Sequence, residues 1–113
     1  MKAIRAVDGQ VTVVDVERPA GDGVRVRVQA AGVCGSDLHL VELGFAEHTT
    51  LGHEIAGITD DGTPVAVEPV ISCGSCAVCA RGDNGQCADA APNTMGIGVD
   101  GGMAEEILVP DHL

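Results

Sequence analysis

Short apolar segments, several with alternating apolar and polar positions, are separated along the chain by turns that contain Gly and Asp. Between residues 24 and 29, Val alternates with Arg or Gln, and this period of two indicates a strand with one face in solvent. Residues 2–7 and 10–16 are apolar-rich and are joined by Asp8-Gly9, the dipeptide that best fits a two-residue type I′ turn. The pattern therefore predicts an amino-terminal β-hairpin followed by a further strand.

The second half of the chain continues this pattern. Residues 53–59 and 64–70 are predicted strands joined by an Asp-Asp-Gly turn, and residues 103–109 form a predicted last strand. Ser36 can cap a short helix that runs to about Leu43, because its hydroxyl can accept from free amides of the first turn. Strands, tight turns and one short helix predict a mainly β fold, a small and partly open β-barrel that forms one domain over residues 1–113.

The charge of the chain narrows the classes of partner. Seventeen acidic side chains against six basic ones give a net charge of −11, which opposes binding to nucleic acid or to anionic membranes. No hydrophobic run approaches the length of a membrane span. A soluble, cytoplasmic protein that binds neither nucleic acid nor membrane is therefore expected.

Four cysteines in the segment CGSCAVCARGDNGQC have a spacing typical of a metal site. Thiolates at every third residue, followed by one more after seven intervening residues, can turn inward around one tetrahedral zinc ion in a closed structural site. The predicted ligands are Cys73, Cys76, Cys79 and Cys87. We call the segment that carries them, residues 71–95, the cysteine lobe.

Two other interpretations of these cysteines are weaker. Disulfides between cysteines two residues apart would be strained, and the chain opens with Met-Lys-Ala rather than with an apolar signal segment. A redox CxxC motif usually lies next to a βαβ pattern, which is not predicted here.

A second group of residues with potential metal-binding or catalytic side chains lies upstream of the cysteine lobe. A thiol in GVCGSDLH and an imidazole and carboxylate in GHE could meet in space, and Cys with His and an open position suit a catalytic zinc ion that polarises an alcohol. Taken singly, each residue has a structural explanation: Cys34 as a small buried apolar residue, His53 as a hydrogen-bonded core histidine, and His39 as a surface residue.

The four segments GVCGSDLH, LGHEIAG, CGSCAVCARGDNGQC and GGMAEEILVP occur in this order. Together they closely resemble the amino-terminal catalytic domain of zinc-dependent medium-chain alcohol dehydrogenases. The resemblance covers essentially the whole chain and implies a GroES-like barrel with a structural and a catalytic zinc site.

The resemblance also implies roles for individual residues. Cys34 and His53 would be catalytic zinc ligands, with Glu54 as the carboxylate that approaches the metal. Asp37 would orient His53 by fixing the tautomer of its imidazole. Ser36 would take the proton of the alcohol and His39 would relay it toward solvent.

Members of this family are about three times longer and continue into a dinucleotide-binding domain. The GxGxxGG segment at residues 96–102 lies between the cysteine lobe and the last predicted strand, so it does not fit the dinucleotide fingerprint, and no cofactor-binding residue is assigned. The implied function is oxidation of a small alcohol or polyol by hydride transfer to NAD or NADP in a longer, homo-oligomeric enzyme, with these 113 residues inactive alone. The alternative is a stand-alone binding or structural module stabilised by zinc at the cysteine lobe.

Overall fold

The computed structural model describes residues 1–112 and contains six strands and one α-helix. The strands are β1 (Lys2–Val7), β2 (Gln10–Asp15), β3 (Val24–Gly32), β4 (Glu54–Thr59), β5 (Pro64–Val67) and β6 (Glu106–Val109), and the helix is α1 (Gly35–Glu42). Two short 3₁₀ turns, Cys79–Arg81 and Asn84–Gln86, lie in the cysteine lobe. The predicted mainly β fold with one short helix is confirmed.

Strands β1 and β2 form the predicted hairpin. They are antiparallel, with Lys2 opposite Asp15 at one end and Val7 opposite Gln10 at the other. Asp8 and Gly9 form the turn with φ values of 51° and 71°, the left-handed conformations that a type I′ turn requires. Asp tolerates this region better than most residues, and Gly adopts it without steric cost.

The other four strands form an antiparallel sheet in the order β5-β4-β3-β6. The hairpin joins this sheet through single contacts rather than through a continuous ladder: Ala3 pairs with Ala104, and the N–H of Ile4 donates to the Met103 carbonyl at 2.8 Å. The barrel is therefore partly open, as predicted.

The main hydrophobic core lies between the four-stranded sheet and the end of the cysteine lobe, which contributes Met95. Its buried residues are Val26, Ile55, Met95, Ile107 and Val109. The single aromatic residue, Phe45, is 70% exposed and lies outside this core.

Strands β2 and β4 are one residue shorter than predicted, and β5 and β6 are three residues shorter. β5 ends at Val67, close to Pro69, which has no N–H to donate to a ladder. Residues 103–105 bond to several different partners instead of one strand, since the N–H of Met103 donates to Leu51 and that of Glu105 to Lys2. β6 therefore begins only at Glu106.

The prediction that Ser36 caps the helix is wrong. The N-cap residue is Cys34, whose N–H donates to the Asp37 carboxylate at 2.8 Å. Ser36 lies within the first turn, and its hydroxyl contacts His53 instead of a helix amide. The helix ends at Glu42 and is followed by Gly44, as predicted. Within residues 1–112, no helix is long and apolar enough to cross a bilayer.

Candidate metal centres

The cysteine lobe brings four sulfur atoms together. The Sγ atoms of Cys73, Cys76, Cys79 and Cys87 all lie within 4.8 Å of one another. The Cys76 sulfur is 3.5 Å from that of Cys79 and 4.0 Å from that of Cys87, and the sulfurs of Cys73 and Cys79 are 3.9 Å apart. All five cysteines of the chain are free thiols.

These separations fit a tetrahedral zinc ion. A Zn–S bond of about 2.3 Å places the sulfurs of a regular tetrahedron about 3.8 Å apart. A disulfide would require about 2.05 Å. Four converging thiols leave no open position, so the group is suited to a structural ion and not to a catalytic one.

Tight turns and backbone amides create this arrangement. The 3₁₀ turn that begins at Cys79 and the turn that precedes Cys87 direct both sulfurs toward the same point. Hydrogen bonds from the backbone N–H groups of Ser75 and Cys76 lower the pKa of the Cys73 thiol to about 6. Because metal binding requires thiolates, amide donors of this kind favour the liganding form.

The pKa values of the next two thiols, Cys76 and Cys79, are shifted in opposite directions. The backbone N–H of Cys79 lowers the pKa of the Cys76 thiol. Burial raises the pKa of the Cys79 thiol, and the neighbouring Cys76 and Cys87 thiols raise it further. The Ser72 hydroxyl and the Gly74 amide act in the opposite direction. The pKa of Cys79 is therefore shifted toward the neutral thiol, whereas the pKa values of Cys73 and Cys76 are shifted toward the thiolate.

A second site lies where the start of α1 meets the segment before β4. The Ser36 hydroxyl is 3.2 Å from Nε2 of His53, and Oδ1 of Asp37 is 3.5 Å from Nδ1 of the same ring. Asp37 is 3% exposed and uses Oδ2 to accept from the Cys34 N–H. The helix start therefore holds a thiol, a hydroxyl and a carboxylate around one imidazole.

Two buried atoms in this site lack complete hydrogen bonds. Among the described residues, Oδ1 of Asp37 and Nδ1 of His53 have no partner with good geometry, although they face each other at 3.5 Å. A carboxylate beside Nδ1 favours a proton there and leaves Nε2 free to bind a metal. The Cys34 thiol completes this side, and its pKa is lowered first by the Ser36 hydroxyl and then by the Ser36 backbone and His53.

Two predicted site residues lie apart from this group. Glu54 is exposed, and its carboxylate packs against Gly32. Within the described part of the chain, only the four lobe cysteines bring three or more metal-ligating atoms within 4.8 Å, so Cys34, His53 and Glu54 do not meet as a set. His39 is 77% exposed, with Nδ1 3.6 Å from the Glu42 carboxylate.

The glycine-rich segment 96–102 supports the loop that carries His53. A Cβ at Gly96 would lie 2.7 Å from the Gly52 carbonyl oxygen, and one at Gly101 would overlap the same atom. The N–H of Gly102 donates to that carbonyl at 2.8 Å. These glycines allow close packing of two backbone segments.

Comparison with known proteins identifies the family. Residues 20–113 match the family described as the alcohol dehydrogenase GroES-like domain. The chain belongs to this family. The GroES-like barrel implied by the sequence is therefore confirmed.

Curated relatives and solved structures agree. The starvation-sensing protein RspB of Escherichia coli K12 is 37% identical over 109 residues, and an NAD-dependent alcohol dehydrogenase of Saccharolobus solfataricus is 34% identical over 137. These alignments cover 85% and 99% of this chain but 32% and 39% of the relatives. Galactitol-1-phosphate dehydrogenase of Escherichia coli has a TM-score of 0.82 and 35% identity, with 97% of this chain and 36% of that one covered. The chain thus spans about a third of the length of its relatives.

Proposed function

We propose that this chain is the catalytic domain of a zinc-dependent alcohol or polyol dehydrogenase that uses NAD or NADP. The observation that carries the proposal is the position of His53, with Asp37 at Nδ1 and Ser36 and Cys34 on the opposite side. This geometry suits a metal-binding imidazole better than a core histidine, because one nitrogen is oriented by a carboxylate and the other faces a thiol and a hydroxyl.

Each metal centre has its own candidate ligands. Cys73, Cys76, Cys79 and Cys87 would hold a structural zinc ion in the cysteine lobe. Cys34 and His53 would hold the catalytic one, with Glu54 as a further ligand in some states. A zinc ion bound there would supply a Lewis acid that lowers the pKa of an alcohol. The domain would comprise residues 1–113, and the lobe within it would comprise residues 71–95.

The residues around His53 would transfer the proton of the alcohol to solvent. The Ser36 hydroxyl, held against the imidazole, can accept a proton from an alcohol and pass its own onward. His39 lies one helical turn further along α1 and is open to solvent, which suits the outer end of such a relay.

The nicotinamide cofactor would be held elsewhere. All strand pairs of the two described sheets are antiparallel, so these sheets contain no βαβ unit for a dinucleotide. Full-length relatives include the RspB structure solved in complex with NADH. A longer, homo-oligomeric and cytoplasmic enzyme acting on a small alcohol would contain this chain as one domain.

The experiment combines metal content with activity. After dialysis against a mild chelator, we expect about one zinc ion per 113-residue chain in the wild type and in Cys34→Ala, and almost none in Cys79→Ala, because four thiolates bind more tightly than an open site. The full-length polypeptide that carries this domain should reduce NAD or NADP with an alcohol, and Cys34→Ala should abolish this turnover.

A stand-alone module stabilised by zinc is the second candidate, because Cys34, His53 and Glu54 do not converge as a three-ligand set among the described residues. This candidate predicts that the protein shows no alcohol-dependent reduction of NAD or NADP, so that Cys34→Ala has no such activity to abolish. Retention of two zinc ions by the wild-type chain would instead show a complete catalytic site within these residues.

A further inference from the structure

The chain contains two asparagines, and both lie in the cysteine lobe. Asn84 is exposed, and its side-chain amide has no hydrogen-bond partner within residues 1–112. The next residue is Gly85, where a Cβ would meet no atom within 4 Å. The backbone nitrogen of Gly85 also has no acceptor among the described residues. The amide side chain and the nitrogen that follows it are therefore both free to react.

Asn93 is the contrasting case. It is half-buried, and its Nδ2 donates to the Asp89 carbonyl at 2.8 Å. The next residue, Thr94, is β-branched, and its N–H donates to the Ala91 carbonyl at 3.4 Å. Both the amide and the following nitrogen are thus occupied at Asn93, and the neighbouring side chain adds steric hindrance that Gly85 lacks.

We propose that Asn84 is a site of spontaneous deamidation, with the backbone nitrogen of Gly85 as the nucleophile and water as the second reactant. The nitrogen bonds to Cγ of Asn84, the Cγ–Nδ2 bond breaks, and the side-chain NH₂ leaves as ammonia with the amide proton of Gly85. The product is a succinimide ring. Water then cleaves the bond from the ring nitrogen to Cγ, which gives Asp, or to the main-chain carbonyl carbon, which gives an isoaspartyl linkage.

The turn that contains Asn84 restrains this attack. The N–H of Cys87 donates to the Asn84 carbonyl at 3.1 Å, within the 3₁₀ turn Asn84–Gln86 and its cap. The ring can close only after the main chain of Asn84 rotates, and this rotation breaks that hydrogen bond. Because Cys87 is a ligand of the proposed zinc site, a bound ion would hold the turn closed, and this part of the inference rests on that site. Loss of the ion should permit the local opening that the reaction needs.

The isoaspartyl product would in turn weaken the metal centre. Its main chain passes through Cγ, which adds one carbon atom to the backbone between Cys79 and Cys87. The former Asn84 carbonyl becomes a free carboxylate next to Asp83, so it no longer accepts from Cys87 in its original place. Deamidation would therefore convert a reversible loss of zinc into a lasting one.

Mass spectrometry of the 113-residue chain, aged in mildly alkaline buffer with and without zinc, tests the site. Deamidation raises the mass of a peptide by about 1 Da, whereas isomerisation at the four Asp-Gly pairs leaves the mass unchanged. We expect the gain at Asn84 and not at Asn93, and a rate about tenfold higher or more in the metal-free chain. Gly85→Ala retains Asn84 and adds a methyl group in open space, and it should slow the reaction about tenfold.

Zinc affinity gives a second readout, measured by competition with a chromophoric chelator. Ageing of the metal-free wild type should lower the affinity of the isoaspartyl fraction about tenfold or more, while Asn84→Gln aged in the same way should keep its affinity. Equal rates at Asn84 and Asn93 in the metal-free chain, or an unchanged rate in Gly85→Ala, would overturn the modification site. Equal rates at Asn84 with and without bound zinc would overturn the restraint by the metal. A chain that binds no zinc but still deamidates at Asn84 would overturn the proposed lobe centre and support the modification site.

Discussion

At the scale of the residue, the position of His53 depends on nearby glycines, because the lack of a Cβ at these positions allows the backbone segments to pack closely. Gly52 has a φ of 94°, and a Cβ there would lie 2.7 Å from Cγ of Met103. Gly96 and Gly101 also pack closely against the carbonyl of Gly52. Three segments of the chain, at residues 52, 96 and 101–103, therefore pack so closely that a methyl group on any of these glycines would overlap a neighbour.

This close packing leads to a prediction for Gly101→Ala. The new methyl group would overlap the Gly52 carbonyl oxygen and lie 2.7 Å from that of Leu51, so one of two backbone segments must shift. We expect a loss of about 1–3 kcal/mol in the free energy of unfolding, the usual cost of overpacking. Chemical denaturation of the metal-loaded protein measures it.

Gly85→Ala is the matched control for this substitution. A Cβ at Gly85 meets no atom within 4 Å, and the residue lies in a 3₁₀ turn where Ala is tolerated. Its free energy of unfolding should change by less than about 1 kcal/mol. Equal effects of the two substitutions would show that the packing around Gly52 is not tight.

At the scale of the element, one buried carboxylate on β6 adds ion pairs to the backbone ladder that joins this strand to β3. Glu106 lies opposite Arg27 in the ladder with β3, and its side chain accepts from Arg25 at 2.7 Å and also from Arg18. Arg25 in turn donates to the Pro19 carbonyl at 3.0 Å. The ion pairs therefore connect the loop after β2 with the central sheet.

Glu106→Gln is expected to weaken this connection. The amide retains the size of the side chain but loses its charge, so the guanidinium groups of Arg18 and Arg25 lose their charge-assisted hydrogen bonds. Because both arginines are partly exposed, we expect the free energy of unfolding to fall by about 1.5–3 kcal/mol for the two bonds together. The adjacent Glu105→Gln is the control, because Glu105 is exposed and its one hydrogen-bond donor within residues 1–112 is the backbone N–H of Lys2. Thermal unfolding should show a lower Tm for Glu106→Gln and an unchanged Tm for Glu105→Gln. Similar Tm values for the two variants would show that the ion pairs of Glu106 do not stabilise the fold.

The sequence predicted those elements whose signals are local. Asp8-Gly9 specifies its own turn, and the spacing of the four lobe cysteines is sufficient to bring their sulfurs together. The role of Ser36 could not be predicted in the same way. Its hydroxyl has two competing partners, a helix amide and His53, and the second is seventeen residues away. The start of β6 was also missed, because residues 103–105 bond to partners from three different parts of the chain.

At the scale of the whole molecule, the chain consists of a packed β-structure and a lobe with little core of its own. Cys87 and Ala90 are the buried apolar residues within the lobe, before Met95 joins the main core. A segment with so few buried groups cannot offset the entropy lost on ordering. The metal is therefore expected to supply most of the folding free energy of the lobe.

Removal of zinc should unfold the lobe and leave the sheets intact. Arg81 is the only Lys or Arg between residues 71 and 95, so trypsin reports on this segment by a single cut. We expect cleavage after Arg81 in chelator-treated protein and in Cys76→Ser, but not in the zinc-loaded wild type. Arg27, paired within β3, serves as an internal control and should remain uncut. Equal resistance of the metal-free and metal-loaded proteins would show that the lobe folds without an ion.

The two ends of the lobe meet at its base. Val70 pairs with Thr94, and the N–H of Met95 donates to the Pro69 carbonyl at 2.9 Å. If the residues between these points were deleted, a short turn could join the two remaining ends, and every strand would keep its neighbours. The arrangement predicts that the lobe can be shortened or removed without a change in the strand order of the barrel.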